Sequence, residues 1–403
     1  MIKKVILKKG RDESLKRFHP WVFSGAVQKI EGEPYEGEVV EVVDFAGEFL
    51  AYGHYQVGSI SVRVLAFDQE YEPVDGEFGL DFWVEKIYLA YKMRRTLGID
   101  NTQTNCYRLV HGEGDNLPGL IIDYYDGVAV VQAHSAGMYL SQEKICEALK
   151  HCYGAALKAV YDKSEGTAPY KAGLELGDKY LWKRDDFKEE ESLVLENGKS
   201  FLVNWEKGQK TGFFLDQRDN REMVGEQAKG KKVLNLFCYT GGFSIYALAA
   251  GAKKVVSVDS SKVAMAMVDR NVAYNGFEPE RHESVCEDAI DYLKKIPEGE
   301  FDLIIVDPPA FAKHRGSLNN ALRAYKRLNA CAIEKVARGG VIFTYSCSQV
   351  VDKQAFALAV FSAAASVGRS VKILRRLTQP ADHPVNIYHP EGEYLKGLML
   401  YVE

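Results

Sequence analysis

Two segments near the C-terminus, about forty residues apart, carry side chains able to do covalent chemistry. The first is Asp307-Pro308-Pro309-Ala310-Phe311, directly after Phe301-Asp302-Leu303-Ile304-Ile305-Val306. The second is Thr344-Tyr345-Ser346-Cys347-Ser348, directly after Gly340-Val341-Ile342-Phe343. Each apolar run reads as a strand buried on both faces, and open parallel sheets hold their ligands at such strand ends. A thiol can add to an electron-poor ring carbon, and a carboxylate beside a rigid Pro-Pro turn can bond to the ring's polar edge. The pair suits covalent chemistry on a flat heteroaromatic ring.

The elements that must position this pair form a repeating pattern. From about residue 200 the chain alternates strand, loop and helix, with strands expected at Lys232–Phe237, Lys254–Asp259, Val285–Asp288, Phe301–Asp307 and Gly340–Cys347. Helices are expected around Phe243–Ala250, Lys262–Asn275, Ala289–Lys295 and Asn320–Val336, and two further strands at Val371–Leu377 and Leu395–Val402. Strict alternation implies an α/β fold, a mostly parallel seven-stranded sheet with helices on both faces. The N-terminal region is divided by charge. Its first 30 residues carry Lys3, Lys4, Lys8, Lys9, Arg11, Lys16, Arg17 and Lys29 against Asp12 and Glu13, a net charge of +6, and the stretch from Glu31 to Glu85 is acidic. Alternation in Gly37–Asp44 and Ser59–Leu65 predicts a small β-barrel-like module ending near residue 70. The intervening residues 71–190, with a helical pattern over Phe82–Leu97 and several strand candidates, predict a central α+β domain before a catalytic domain over 191–403.

Composition sets outer bounds. At 403 residues the chain is long enough for roughly two to three domains. A hydrophobic content of 46% with 27% charged residues fits a globular protein, and a net charge of −5 confines any nucleic-acid contact to a local patch. Met1-Ile2-Lys3-Lys4 lacks the apolar core of a signal peptide, and the apolar stretch from Val233 to Ala252 is interrupted by Asn235, Thr240 and Gly241-Gly242. No membrane association is therefore expected. Seven scattered cysteines form no C-x-x-C pair, which argues against zinc and disulfides and for a reducing cytoplasm. Six of them are expected to be buried small hydrophobes.

A cofactor site is expected where Val233-Leu234-Asn235-Leu236-Phe237 runs into Cys238-Tyr239-Thr240-Gly241-Gly242. The glycines let backbone approach a ligand, but the full G-x-G-x-x-G of a pyrophosphate cradle is missing. Asp259, followed by Ser260, ends the next strand, where a carboxylate can accept both hydroxyls of a ribose. Asp288 ends the third strand, placed for an adenine amino group, although each aspartate alone could equally be a helix N-cap. Two acids without a phosphate cradle suit S-adenosylmethionine better than a dinucleotide. Asn235, Phe237, Thr240, Gly241, Gly242, Asp259, Ser260, Asp288 and Asp307 are the expected cofactor contacts.

These motifs resemble class I S-adenosylmethionine-dependent methyltransferases of Rossmann-like fold, and the Asp307-Pro308-Pro309-Ala310-Phe311 segment resembles the superfamily's amino-methylating motif. Together with Thr211-Gly212-Phe213-Phe214-Leu215-Asp216-Gln217-Arg218, Arg221, the Cys347 strand end and the basic N-terminal module, they resemble bacterial large-subunit ribosomal RNA cytosine-C5 methyltransferases carrying an N-terminal PUA RNA-binding domain. The resemblance implies a PUA-like barrel over 1–70 and 23S-class ribosomal RNA as partner; a homodimer stays an open option. It also implies that Phe214, Gln217 and Arg218 line the pocket entrance.

Cytosine C5 is a weak nucleophile. A thiolate adding to C6 makes the ring an enamine whose C5 can attack a methylsulfonium, and loss of the C5 proton then expels the thiol. Cys347 is the expected nucleophile and Asp307 the group on the base edge, with Pro308, Pro309 and Phe311 shaping the site. A better-known branch of cytosine-5 enzymes has a second cysteine where Pro309 stands here, so the group that removes the C5 proton is unassigned. Arg218 could pair a methionine carboxylate or an RNA phosphate, or form a solvated salt bridge. Lys313, His314, Arg315, Arg323, Lys326 and Arg327 form a candidate phosphate rim, and the basic N-terminus with Phe18, Trp21 and Phe23 a second RNA surface, unless those aromatics are core. Two rival readings stand: an exocyclic-amine or guanine-N7 methyltransferase using Asp307 alone, and a non-catalytic RNA-binding assembly factor.

Overall fold

The computed structural model describes residues 2–169, 173–312 and 314–403. The chain divides into two compact units: Met1–Val194 with Val203–Leu215 and Ala381–Gly392, and Leu195–Leu202 with Asp216–Pro380 and Glu393–Glu403.

In the first unit, a six-stranded sheet runs in the order Trp21–Phe23, Ile60–Ala66, Phe49–Tyr55, Val39–Val43, Lys4–Leu7, Val27–Glu31. Its pairings are antiparallel apart from the parallel Lys4–Leu7 and Val39–Val43 pair. Alternation works as expected: Val5, Leu7, Val40, Val42, Val62 and Val64 turn inward onto Leu15 and Val22. Bulges between Val42 and Val43 and between Tyr52 and Gly53 increase the local bend. Only glycine fits at position 53, because a Cβ there would stand 2.3 Å from the Arg63 carbonyl oxygen.

A five-stranded sheet follows in the same unit, ordered Lys179–Lys183, Ala159–Asp162, Val128–Ala133, Leu120–Tyr125, Cys106–His111, with helices Leu80–Thr96 and Gln142–Tyr153. Residues 381–392 belong to this unit although 216–380 and 393–403 belong to the other. They are held by buried ions. Asp382 accepts from the Arg108 backbone N–H at 3.0 Å, and its carbonyl accepts from Arg94 at 2.7 Å. Arg94 is itself ion-paired with Asp115, and Arg108 donates two bonds to Asp123 at 2.7 and 2.9 Å.

The second unit is built on a seven-stranded sheet in the order His282–Cys286, Lys254–Asp259, Lys232–Leu236, Phe301–Val306, Val336–Ser346, Lys396–Val402, Val371–Leu377. Lys396–Val402 runs antiparallel to both its neighbours, and the remaining paired strands are parallel. Strand order reverses between Lys232–Leu236 and Phe301–Val306, which pair through Leu236 and Val306. That reversal opens a crevice at the carboxyl ends, where this class of sheet binds ligands. Leu234, Leu236, Ile304, Val306 and Ile342 pack with Leu328, Ile333 and Phe356 of the helices Leu318–Lys335 and Lys353–Val367.

Several elements differ from the sequence reading, and helix Lys353–Val367 is absent from it. The third strand is His282–Cys286 rather than 285–288, so Asp288 lies beyond the strand, on the following helix. Arg218–Ala228 forms a helix that the reading did not assign, because its interior face is built from Arg218, Asn220 and Arg221 as well as Val224, which hides the apolar period.

Candidate active site

The glycine loop after Lys232–Leu236 is a strained connection. Phe237 and Tyr239 hold φ of 56° and 47°, in the left-handed region that side chains disfavour, and Gly241 follows at 82°. Asp259 holds the loop, accepting from the Tyr239 N–H at 3.0 Å and the Ser261 N–H at 2.9 Å. Helix Gly242–Ala249 then starts with its amide groups at the crevice. A Cβ on Gly241 would come within 3.0 Å of Val268, and one on Gly242 within 3.0 Å of Arg221. The Thr240 hydroxyl is buried here with no hydrogen-bond partner among the described residues, an acceptor and donor left for a ligand.

Three expected cofactor residues stand elsewhere or do other work. Asn235 points into the interior, where its amide donates to Ser244 at 2.9 Å; Ser244 and Ser257 lie 2.7 Å apart, and Ser257 meets His282 at 2.8 Å. This buried polar chain ties the helix to the sheet through the Asn235 amide nitrogen, while its carbonyl oxygen has no partner among the described residues. Asp288 is exposed and caps helix Ala289–Lys295, accepting from Ile290 at 2.9 Å and Asp291 at 3.0 Å. Ser260 is exposed beside Asp259.

The reactive pair is tightly framed. Asp307 accepts from the Gln217 amide at 3.0 Å, and Gln217 is oriented by the Asn220 amide, which donates to it at 2.6 Å. Pro308 is buried and Pro309 exposed; Phe311 packs on Tyr325 with ring centroids 4.8 Å apart, which is a core contact. Cys347 is half-buried between two fully buried serines. The Ser346 hydroxyl donates to the Tyr325 phenol at 2.9 Å, and Ser348 lies 3.1 Å from the same oxygen. Ser348 also accepts from the Ala312 N–H at 3.3 Å, which joins the Cys347 turn to the Asp307 segment. Burial pushes the Tyr325 phenol up, while its two serine bonds pull it back. Cys347 directly follows strand Val336–Ser346, at the carboxyl edge of the sheet where such folds hold their ligands. The flanking serines are therefore the clamp for the thiol.

Below the glycine loop, two arginines share one acid. Arg221 donates to both oxygens of Glu196 at 2.8 and 2.7 Å, and Arg218 approaches the same carboxylate at 3.7 Å. Tyr246 adds a bond at 3.0 Å. All three ions are buried beside the start of helix Gly242–Ala249. An anion is favoured there by the helix terminus and the two guanidinium groups.

The remaining expected residues are dispersed. Phe214 lies in the first unit under the Lys210 ammonium, 4.4 Å from its ring centre. Arg315, His314, Arg323, Lys326 and Arg327 are exposed on the segment and helix after Asp307, and Lys313 lies outside the described residues. Phe18 and Phe23 are 47% exposed, so they are surface, whereas the Trp21 indole bonds Glu113 at 2.9 Å. Of the cysteines, Cys106, Cys146 and Cys238 are buried, Cys152, Cys331 and Cys347 are half-buried and Cys286 is exposed; the expectation of six buried small hydrophobes is too high.

Residues 179–398 match the S-adenosylmethionine-dependent methyltransferase family, and residues 5–67 match PUA-like domains. Ribosomal RNA large subunit methyltransferase I of Aeromonas salmonicida is 41% identical over 98% of both chains, and that of Photobacterium profundum is 41% identical over the whole of both. The chain belongs to the ribosomal RNA large subunit methyltransferase I family. A methyltransferase crystallised with SAH shares its fold over the full length of both chains, at TM-score 0.83 and 24% identity. A SAM-dependent methyltransferase from Streptococcus mutans does so at TM-score 0.81 and 23% identity. The fold class and S-adenosylmethionine as cofactor are thus as the sequence reading has them. Among the described residues no helix is long and apolar enough to cross a membrane.

For a member of this family, the residues that the sequence reading missed are those holding the reactive groups: Tyr325, Glu196 and Lys396. Lys396 is buried and donates to the Ser348 and Val351 carbonyls, each at 2.6 Å. A lysine between apolar neighbours in Leu395–Val402 was the available signal.

Proposed function

We propose that the protein methylates carbon 5 of a cytosine in large-subunit ribosomal RNA, of the 23S class, through a covalent bond between Cys347 and C6. The observation that carries this reading is the Cys347 turn: a half-exposed thiol clamped between two buried serines and tied to the Asp307 segment. An amine methyltransferase needs the carboxylate but has no use for a positioned thiol.

S-adenosylmethionine supplies an electrophilic methyl group when bound. Gly241, Gly242 and Thr240 would hold it against the loop, Asp259 its ribose, and the Arg218–Arg221–Glu196 cluster its carboxylate. The Thr240 hydroxyl, without a partner among the described residues, and the buried Arg218–Arg221 pair fit that ligand. Asp288 could reach an adenine amino group only with the carboxylate oxygen that its capping bonds leave over. Cys347 adds as thiolate to C6, and Asp307, held by Gln217, accepts from the N4 edge of the base. Release breaks the Sγ–C6 bond as the C5 proton leaves. A base inside folded RNA must be flipped out to reach such a site. The exposed Arg315, Arg323, Lys326 and Arg327 would bind flanking phosphates, and Phe18 and Phe23 of the 1–70 module would stack on unpaired bases. In this reading residues 71–190 link that module to the catalytic residues 191–403. The reading also makes the protein cytoplasmic; a homodimer is tested by sedimentation.

Cys347→Ala is expected to bind S-adenosylmethionine normally and to lose at least about 10³-fold in methyl transfer. RNA containing 5-fluorocytosine should trap wild type as a stable adduct. Full transfer by Cys347→Ala would sink the covalent reading and favour the amine rival. Failure to bind S-adenosylmethionine would sink both and favour the assembly-factor reading.

A further inference from the structure

The strand Lys396–Val402 begins with a buried charge. Ser346 and Lys396 are directly paired across the antiparallel ladder, so their side chains leave the same face of the sheet. The Lys396 side chain reaches under the turn that follows Cys347 and bonds its Ser348 and Val351 carbonyls, each at 2.6 Å. Two of the three ammonium hydrogens are thereby used, both on carbonyls of the turn that follows Cys347. Burying an ammonium this deeply without a direct carboxylate partner is costly unless a negative charge develops beside it.

We infer that Lys396 is the positioning residue for Cys347: its buried ammonium fixes the 347–351 turn from below and favours the thiolate that attacks C6. This rests on the covalent reading above for its purpose, though its test does not. The clamp is then two-sided, with the Tyr325–serine contacts setting the direction of the thiol and Lys396 setting its charge. The proton leaves the Cys347 sulfur for solvent, and Lys396 stays protonated throughout, so charge balances as one ammonium against one thiolate.

The surrounding charges agree with that assignment. Burial pulls Lys396 down to about 8, opposed by Cys347, Asp352 and Glu393, while Lys353 acts in the same direction as burial. Asp352 is committed to capping helix Lys353–Val367 through Ala355 at 2.7 Å, and Glu393 is ion-paired with Lys353. Facing Cys347 from the helix Leu318–Lys335 is the Tyr325 phenol, which burial keeps neutral. Lys396 is therefore cationic up to about pH 8, and its support for the thiolate fades as pH rises beyond that.

The test is the pH profile of Cys347 alkylation by iodoacetamide in the full-length protein, read peptide by peptide by mass spectrometry. Lys396→Met is expected to move the Cys347 inflection to higher pH, about tenfold slower alkylation at pH 7, with S-adenosylmethionine binding retained. Lys396→Arg keeps the charge and should hold the inflection near wild type. A Lys396→Met profile that superimposes on wild type in folded, cofactor-binding protein overturns the inference. Because coupling is reciprocal, ε-carbon NMR of Lys396 should show its titration midpoint lowered in Cys347→Ala, and an unmoved midpoint overturns the inference without needing any lysine variant to fold. Full methyl transfer by Cys347→Ala would instead remove the covalent reading and leave the measured thiol–lysine coupling standing.

Discussion

Tyr325→Phe removes one oxygen and tests the clamp directly. The phenol is fully buried and joins Ser346 at 2.9 Å to Ser348 at 3.1 Å, the residues on either side of Cys347. Ser348 keeps its bond from Ala312, whereas the bond that the Ser346 hydroxyl donates to the phenol is lost. At about 0.5–1.5 kcal/mol for each net hydrogen bond, stability should fall by about 1–3 kcal/mol. The effect on chemistry should be larger than a loss of this size suggests. A displacement of the thiol on the order of 1 Å costs about 100-fold in rate, so methyl transfer should drop by about 10- to 100-fold. Cofactor affinity should change by less than about twofold, because the glycine loop hangs from a different strand. Urea denaturation gives the first quantity, tritiated-methyl incorporation the second and calorimetric titration the third. Transfer within about threefold of wild type, in a protein destabilised by the expected amount, would refute the idea that the serines aim Cys347.

Three further outcomes follow from other parts of the fold. Glu196→Ala leaves Arg221 buried without its two-bond partner and should cost about 3–5 kcal/mol in urea denaturation, with weakened cofactor binding; a loss under about 1 kcal/mol would mean that the cluster is solvated. Replacing Arg323 and Arg327 by alanine should weaken RNA binding and reduce the slope of log affinity against log salt by about two, as filter binding across a salt series would show; an unchanged slope removes them from the phosphate rim. Burial lowers His54 from 6.5 to about 3, with Arg63 adding to the effect. The unfolded chain therefore binds a proton that the folded one refuses, and stability is lost as pH falls below 6.5, by up to about 1.4 kcal/mol per pH unit from this group. His54→Gln should flatten the urea midpoint between pH 6.5 and 4.5, and an unchanged slope would show that His54 takes up its proton in the folded state.

The chain by itself determined the sheet and the identity of the reactive groups, because both are local signals. Apolar runs such as Leu303–Val306 read as central strands, and an aspartate before Pro-Pro or a cysteine at a strand end is visible wherever it occurs. What tertiary structure decided was which polar residues serve those groups. Asn235 and Asp288 sit at the right distances along the chain, yet one turns inward to Ser244 and the other caps a helix, since a strand's two faces and a two-residue shift in its end look alike in sequence. Gln217 reaches Asp307 from a helix hidden by its own arginines, and Glu196, Tyr325 and Lys396 act across separations of 25, 21 and 48 residues. Such pairings depend on register between elements, which no local pattern records. Lys396 stands opposite Ser346 only because the last strand runs antiparallel in that one register.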